Sequence, residues 1–312
     1  MNKAEKYNIS KFQKEISAAG IKNIKYNYNT AKLTSIAAGG RCLCYTVAGS
    51  REKLKKIINI CLVNKIKIVI IGGGTNILFN DGNLNLVLVR LGEEFNYLRL
   101  GDSNELHVGA ACSLSKFVSK TGKLGFDFSF LAGIPGSFGG SVLGNSGSRE
   151  QGICQYIKKV KCILIKNNSP VEEDINITGN EFGYRFFNIP NLLVLTDVVL
   201  SAERSDKKVI LEKIRSRIKN KRMIQPTNTK NAGCFFKNPE GSLKSAGEMI
   251  EECGLKGFAY GGARVSERHS NFIENFKKAC AEDIIVLAKI IKSKVKERFN
   301  INLEYEVRII GF

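Results

Sequence analysis

Three short stretches carry side chains able to do chemistry. Residues 231–239, NAGCFFKNP, hold a thiol (Cys234), an ammonium (Lys237), an amide (Asn238) and two aromatics between Gly233 and Pro239. A thiol beside glycine at a turn can face a cleft and deliver a proton there; on a strand, the same cysteine is a buried apolar residue. Tyr184-Arg185 and Glu304-Tyr-Glu306-Val-Arg308 place charges beside apolar strand residues. Such charges are either solvated strand ends or paired site residues.

Two glycine segments suggest what these groups could act beside. Residues 131–147, LAGIPGSFGGSVLGNSG, contain five glycines between Gly133 and Gly144 and almost no charge. Ordering so many glycines is costly unless the backbone must approach something closely, and the free N–H groups of such turns cradle phosphate or pyrophosphate. Leu131, Ile134, Pro135, Phe138 and Val142 make the stretch too apolar for a mobile linker. The second segment, Gly72-Gly73-Gly74-Thr75-Asn76, follows a run of apolar residues. Strand followed by glycine turn sets amides against a phosphate, but the segment matches neither GxGxxG nor the P-loop, and a structural tight turn fits equally.

The elements that must hold these groups are legible from hydrophobic period. A helix is expected over 9–19 and a strand over 42–47. Ser50 caps a helix with Leu54, Ile57, Ile58 and Cys61 on one face. Strands follow at 66–71, 86–91 and 105–108, with a helix over 113–123. Two more strands, 158–166 and 192–202, flank an acidic and polar loop. Beyond Arg204 the texture turns to helix, loop, helix: 207–222, 242–253 stopped by Gly254, and a long closing helix marked by Ile284, Ala288, Ile291, Val295 and Phe299. The end, 303–311, reads as a strand.

A chain of 312 residues can bury a sizeable core in two or three domains, and 43% hydrophobic with 25% charged residues suits a soluble globular protein. The net charge of +19 raises nucleic acid as a partner. The densest basic run, 207–222, however, carries Ile210, Ile214 and Ile218 at helical spacing, so it is a solvated helix face over a core stripe. Attraction for anionic small molecules is the better reading; a basic nucleic-acid-binding protein is the alternative from another class. Nine cysteines without a CxxC pair, and only two histidines, are read as buried thiols in a reducing cytoplasm, with no metal. The first fifteen residues have no apolar signal core and no run of 18 apolar residues occurs, so no membrane is expected.

At this point the residues reach a resemblance. GGGTNILFND (72–81), AGIPGSFGGSVLGNSG (132–147), GYR (183–185), NAGCFFKNP (231–239), AGEMIEECGLKG (246–257), GGARVSERHSNFIEN (261–275) and LEYEVRIIG (303–311) resemble the UDP-N-acetylenolpyruvoylglucosamine reductase (MurB) family. They do so in the family's order and over nearly the whole chain. The short passage after Arg185 resembles the shorter subtype. The resemblance implies an α+β protein: a two-part FAD-binding module (a small N-terminal α/β domain, 1–65, and a larger α/β domain, 66–205) and an α+β substrate-binding domain, 206–312, whose last strand returns to the active site. It implies a cytoplasmic monomer in which NADPH reduces FAD. The UDP-sugar then takes hydride on the methylene carbon of its enolpyruvyl group, and a protein acid protonates the adjacent carbon, completing a step of peptidoglycan precursor synthesis. An FAD-linked oxidase of related fold is the alternative within the same fold.

By position, the resemblance makes Cys234 the proton donor, where the family usually has serine, and Arg185 and Glu306 the groups that polarise the substrate carboxylate. Tyr184, Lys237 and Asn238 would border the substrate. Gly73, Gly74, Thr75 and Asn76, then Gly133, Ile134, Pro135, Gly136, Ser137, Gly139, Gly140 and Asn145, and finally Arg308, would line the flavin. Hydride arriving at an unsaturated acid builds negative charge that a guanidinium meets with two hydrogen bonds. A free thiol of pKa ~8.5 keeps its proton at neutral pH. Departures from the pattern are Cys234 and Thr75 for serines, Phe187 where a serine is common, and the charged Ser148-Arg149-Glu150. His269 could touch the nucleotide sugar or be a satisfied surface histidine.

Overall fold

The computed structural model describes residues 3–312, with side-chain surroundings from residue 10 onward. Contacts divide the chain into two compact units. The first comprises residues 1–28, 42–72 and 85–217; the second comprises 29–41, 73–84 and 218–312. The chain therefore passes twice into the second unit before its C-terminal third completes it.

In the first unit, a four-stranded sheet runs in the order Lys25–Asn29, Arg41–Ala48, Asn83–Leu91, Lys67–Ile70, the last pair parallel. The capped helix forms over Arg51–Val63, with the Ser50 hydroxyl accepting from the Lys53 N–H. Its buried Leu54, Ile57, Ile58 and Cys61 join Phe12, Ile16, Val87 and Val89 in one apolar cluster. A five-stranded antiparallel sheet runs Leu98–Leu100, Glu105–Gly109, Leu192–Ser201, Ile157–Lys166, Ser169–Asn176. The stretch expected to be an acidic loop supplies that edge strand, Ser169–Asn176. Its acids face lysines across the pair, Lys166 with Glu173, and Lys159 and Lys161 with Asp174. Charges on an exposed edge blunt further pairing, which also hides the strand from a hydrophobic pattern.

Arg51 joins these layers. A cation at the first position of a helix opposes the helix dipole, yet carboxylates surround it: Glu94 at 3.1 Å, Glu172 at 3.6 Å and Asp197 in direct contact. Thr196 accepts from the same guanidinium at 3.0 Å, and the Tyr97 hydroxyl donates to Asp197. Burial, together with that bond to Asp197, pushes the Tyr97 phenol up.

In the second unit, the antiparallel sheet Asn231–Cys234, Phe272–Asn275, Ala263–Val265, Ala259–Tyr260 lies with the long helix Ala281–Phe299. Ala232, Phe235, Phe236, Val265, Ile273 and the buried stripe Ile284, Leu287, Ala288, Ile291, Val295 share a single core. These strands are two to four residues long, too short to show an alternating pattern. The helix expected over 242–253 begins at Ala246, because Ser245 and Glu248 form a capping box there. Of the expected terminal strand, Arg308–Ile310 pairs in parallel with Ile77–Phe79, while Tyr305 makes a single bridge to Phe236. Among the described residues no helix is long and apolar enough to cross a membrane.

Replacing Arg51 by Ala leaves Asp197 buried without its cation, which costs about 3 kcal/mol. Melting followed by circular dichroism should fall by roughly 6–12 °C. An unchanged melting temperature would mean that the network is incidental.

Candidate active site

The strand Asn231–Cys234 enters the second unit's site through Gly233, whose φ of +80° turns the chain immediately before the thiol. The Asn231 side chain closes this turn by accepting from the Gly233 N–H at 2.9 Å. Cys234 pairs with Phe272 and is half-buried. By contrast, Cys42, Cys44, Cys61, Cys112, Cys154 and Cys162 are buried, and desolvation pushes the Cys42 thiol up to about 11 and the Cys61 thiol up to about 12. Those thiols behave as small apolar residues. Among the described residues no group of three or more His, Cys, Asp or Glu could hold a metal ion.

The residues following Cys234 are stitched to the chain end. The Glu306 N–H donates to the Phe235 carbonyl at 2.9 Å, and the Lys237 N–H to the Glu304 carbonyl at 2.9 Å. The Lys237 ammonium lies 3.1 Å from the Glu304 carboxylate. Phe236 and Tyr305 stack with centroids 5.6 Å apart. Asn238 accepts from the Ala246 N–H at 3.0 Å, so its carbonyl oxygen caps the next helix. Asn76 completes the arrangement: its amide donates to the Glu306 carbonyl at 3.1 Å, and its carbonyl accepts from the Arg308 N–H at 3.1 Å. Within the second unit the backbone thus brings together the segments carrying Cys234, Lys237, Asn238, Glu306 and Arg308 with the Gly73–Asn76 turn.

Ser35, which the sequence does not single out, links two of these pieces. Its hydroxyl lies 2.6 Å from the Asn231 carbonyl, and its N–H donates to the Gly74 carbonyl at 2.9 Å. Gly74 has φ +68°, and a Cβ there would stand 1.9 Å from the Leu33 carbonyl oxygen. Only glycine passes at that point.

The first unit carries the other predicted residues. Residues 133–137 form a half-exposed to exposed loop, and Ser137 caps the short helix Phe138–Leu143, its hydroxyl accepting from the Gly140 N–H. Gly139 packs on Ala110, with 2.8 Å left for a Cβ. Asn145 anchors the far end: it donates to the Gly183 carbonyl at 2.8 Å and accepts from the Cys154 N–H at 3.0 Å. Its first bond holds the small hairpin Phe182–Gly183 and Phe186–Phe187, at whose tip Arg185 adopts φ +60°. The Arg185 guanidinium donates to the Gly147 carbonyl at 2.9 Å. Phe187 is buried and packs as an apolar residue rather than standing in for a hydroxyl. The stretch 148–150 also finds its place. It is the tip of a turn closed by the Gly147–Gly152 bridge, and it sets the Arg149 guanidinium 5.3 Å from the Tyr184 ring, the same distance as Arg185.

His269 is half-buried. Its Nδ1 accepts from the Asn271 N–H at 3.2 Å and its ring packs on Phe272. Burial pulls this imidazole below its ordinary value.

A Cβ on Gly72 would stand 2.1 Å from the Ser137 hydroxyl, so the chain at Gly72 passes close against the residue that caps the helix Phe138–Leu143. Polar backbone at a turn and at a helix start is what a pyrophosphate requires.

Gly74→Ala should lower both the melting temperature and the flavin retained per chain, since a left-handed alanine alone costs about 1–2 kcal/mol before the clash with Leu33. Flavin retention equal to that of the parent protein would contradict the role given to this turn. His269 predicts a pH effect of definite sign. The unfolded chain takes up the proton first, so stability is complete above about pH 6.5 and is lost as pH falls through the window beneath it. Denaturant titrations should show that slope reduced in His269→Gln.

Comparison with known proteins gives the family. Residues 225–310 match the UDP-N-acetylenolpyruvoylglucosamine reductase C-terminal domain, and residues 43–169 match an FAD binding domain. The chain is 34% identical over 296 residues to the UDP-N-acetylenolpyruvoylglucosamine reductase of Clostridium novyi, covering 92% of each chain. It is 32% identical over 292 residues to that of Geotalea uraniireducens, covering 92% of this chain and 94% of the relative. The crystal structure of the Thermus caldophilus enzyme (MurB) superposes with a TM-score of 0.77 at 28% identity, covering 93% of this chain and 99% of the other. With the relatives spanned almost end to end and both domain types matched, this chain belongs to the UDP-N-acetylenolpyruvoylglucosamine reductase family.

Proposed function

We infer that this chain reduces the enolpyruvyl group of UDP-N-acetylenolpyruvoylglucosamine to give UDP-N-acetylmuramate, with FAD and NADPH, in peptidoglycan precursor synthesis. FAD, held by Gly73–Asn76, residues 133–145 and Arg308, would supply the hydride chemistry that connects NADPH to the enolpyruvyl group. What remains for the protein is to hold the two ligands, meet the charge that develops and deliver one proton.

We assign the proton to Cys234. Its half-exposed position after the left-handed Gly233 contrasts with the six buried thiols, and this is the observation that carries the assignment. A thiol carries a proton that it can deliver to the carbon beside the carboxylate as electrons arrive there. Glu306, on the segment bonded to Phe235, and Arg185 are assigned to the carboxylate end of the substrate. There a guanidinium stabilises the enolic charge through paired hydrogen bonds. Lys237 and Asn238 border the sugar, and Tyr184 sits beside Arg185 with its ring against two guanidiniums. Gly73–Asn76, residues 133–145 and Arg308 hold the flavin. The division into 1–65, 66–205 and 206–312, a monomeric state and a cytoplasmic location belong to the same proposal.

Rapid-mixing experiments separate flavin bleaching by NADPH from product formation. Cys234→Ala should bleach normally and lose about 10²–10⁴-fold in product formation, whereas Cys234→Ser should stay within about tenfold of the parent. Normal product yield from Cys234→Ala would remove Cys234 from the chemistry.

A further inference from the structure

Asn271, the turn residue just before the strand Phe272–Asn275, bonds a neighbouring segment as a strand would. Its carbonyl oxygen accepts from the Phe236 N–H at 2.9 Å, and its amide nitrogen donates to the Phe236 carbonyl at 2.8 Å. Its own backbone carbonyl accepts from the Phe235 N–H at 2.7 Å. Asn271 and Phe236 are both buried, so these groups have no recourse to water. The last regular pair between the two strands is Cys234 with Phe272. Past that pair the neighbouring backbone leaves the sheet, with the Phe272 N–H bonded to the His269 carbonyl in a turn. The Asn271 backbone carbonyl serves Phe235, and its side-chain amide then takes over as a surrogate peptide and continues the ladder by one residue, Phe236. On the opposite edge the Phe235 carbonyl accepts from the Glu306 N–H, and the next residue along, Lys237, donates its N–H to the Glu304 carbonyl.

We propose that Asn271 is a positioning residue for the proton donor. By clamping both polar groups of Phe236 it fixes the direction in which the chain leaves Cys234, and with it the thiol and the Phe235 carbonyl that receives Glu306. This rests on the assignment of Cys234 as the acid. His269 supports the clamp by accepting the Asn271 N–H. Aspartate at 271 is nearly isosteric, but its carboxylate only accepts, so it keeps the bond from the Phe236 N–H and sets like partial charges against the Phe236 carbonyl.

The experiment compares Asn271→Asp and Asn271→Ala with the parent and with Cys234→Ala, using flavin-loaded protein. Flavin bleaching by NADPH should remain within about twofold, while product formation falls about tenfold or more, because small misplacements of a reacting group are costly. The solvent deuterium effect on product formation should rise as proton delivery slows. In flavin-free protein, the alkylation rate of Cys234, followed by peptide mass mapping, should shift by about threefold or more while Cys253 and Cys280 keep their parent rates. Equal changes at all three thiols, or unchanged product formation in Asn271→Asp, overturn the positioning role. If Cys234→Ala itself turns over normally, the underlying assignment of the acid fails instead. If Asn271→Ala does not fold, Asn271→Asp alone decides.

Discussion

One backbone hydrogen bond, from the Glu306 N–H to the Phe235 carbonyl, holds the two ends of the second unit's chemistry together. Residues 71 positions apart in the chain are placed side by side, and neither segment could be held there by its own local structure. The strand bearing Cys234 is only four residues long, and the regular part of the terminal strand is three. Short strands gain stability only from their neighbours. Here the neighbours are the Asn271 amide on one edge, the 304–308 segment on the other, and Asn76 stitched to Glu306 and Arg308. Phe236 and Tyr305 stack, and Phe235 meets both rings edge-on, so the three aromatics form one cluster across the two segments. Each bond is modest in isolation, but breaking any one leaves buried polar groups unpaired, which is what makes the assembly specific.

The first unit solves a different problem. It must present polar backbone at a surface without collapsing onto it. Gly72, Gly139 and Gly147 are kept by close approaches that a Cβ would violate, at 2.1, 2.8 and 2.0 Å. Asn145 then ties the end of the glycine segment to the Arg185 hairpin with the two faces of one amide. Behind this surface, the cluster around Arg51 and Asp197 joins a helix start to the central strand of the five-stranded sheet. A rigid scaffold under a glycine-lined surface is the arrangement that positions a ligand without side-chain rearrangement.

The helices and the longer strands were legible in the sequence because their apolar periods run over ten or more residues. The helix over Arg51–Val63 and the strand Leu192–Ser201 are examples. The second unit's sheet was not, since strands of two to four residues cannot display a period, and Ser169–Asn176 was hidden by its acids. The proposed site residues stood out where thiol, glycine and charge coincide, as at Gly233-Cys234 and Tyr184-Arg185. Ser35 and Asn271 escaped notice because small polar residues flanking strands usually mark turns, and only the fold shows that their bonds reach the Cys234 strand. Asparagine just before FIEN, where strand propensity is low, was the one local signal for Asn271.

The central claim is that the thiol of Cys234 is the acid that completes the reduction. Its most direct test is a crystal structure of the flavin-loaded protein with the enolpyruvyl sugar bound. The account predicts Cys234 Sγ at roughly 3–3.5 Å from the carbon beside the carboxylate, close to the geometry that proton delivery requires. A well-ordered substrate with that thiol turned away, and another acid against the same carbon, would contradict it.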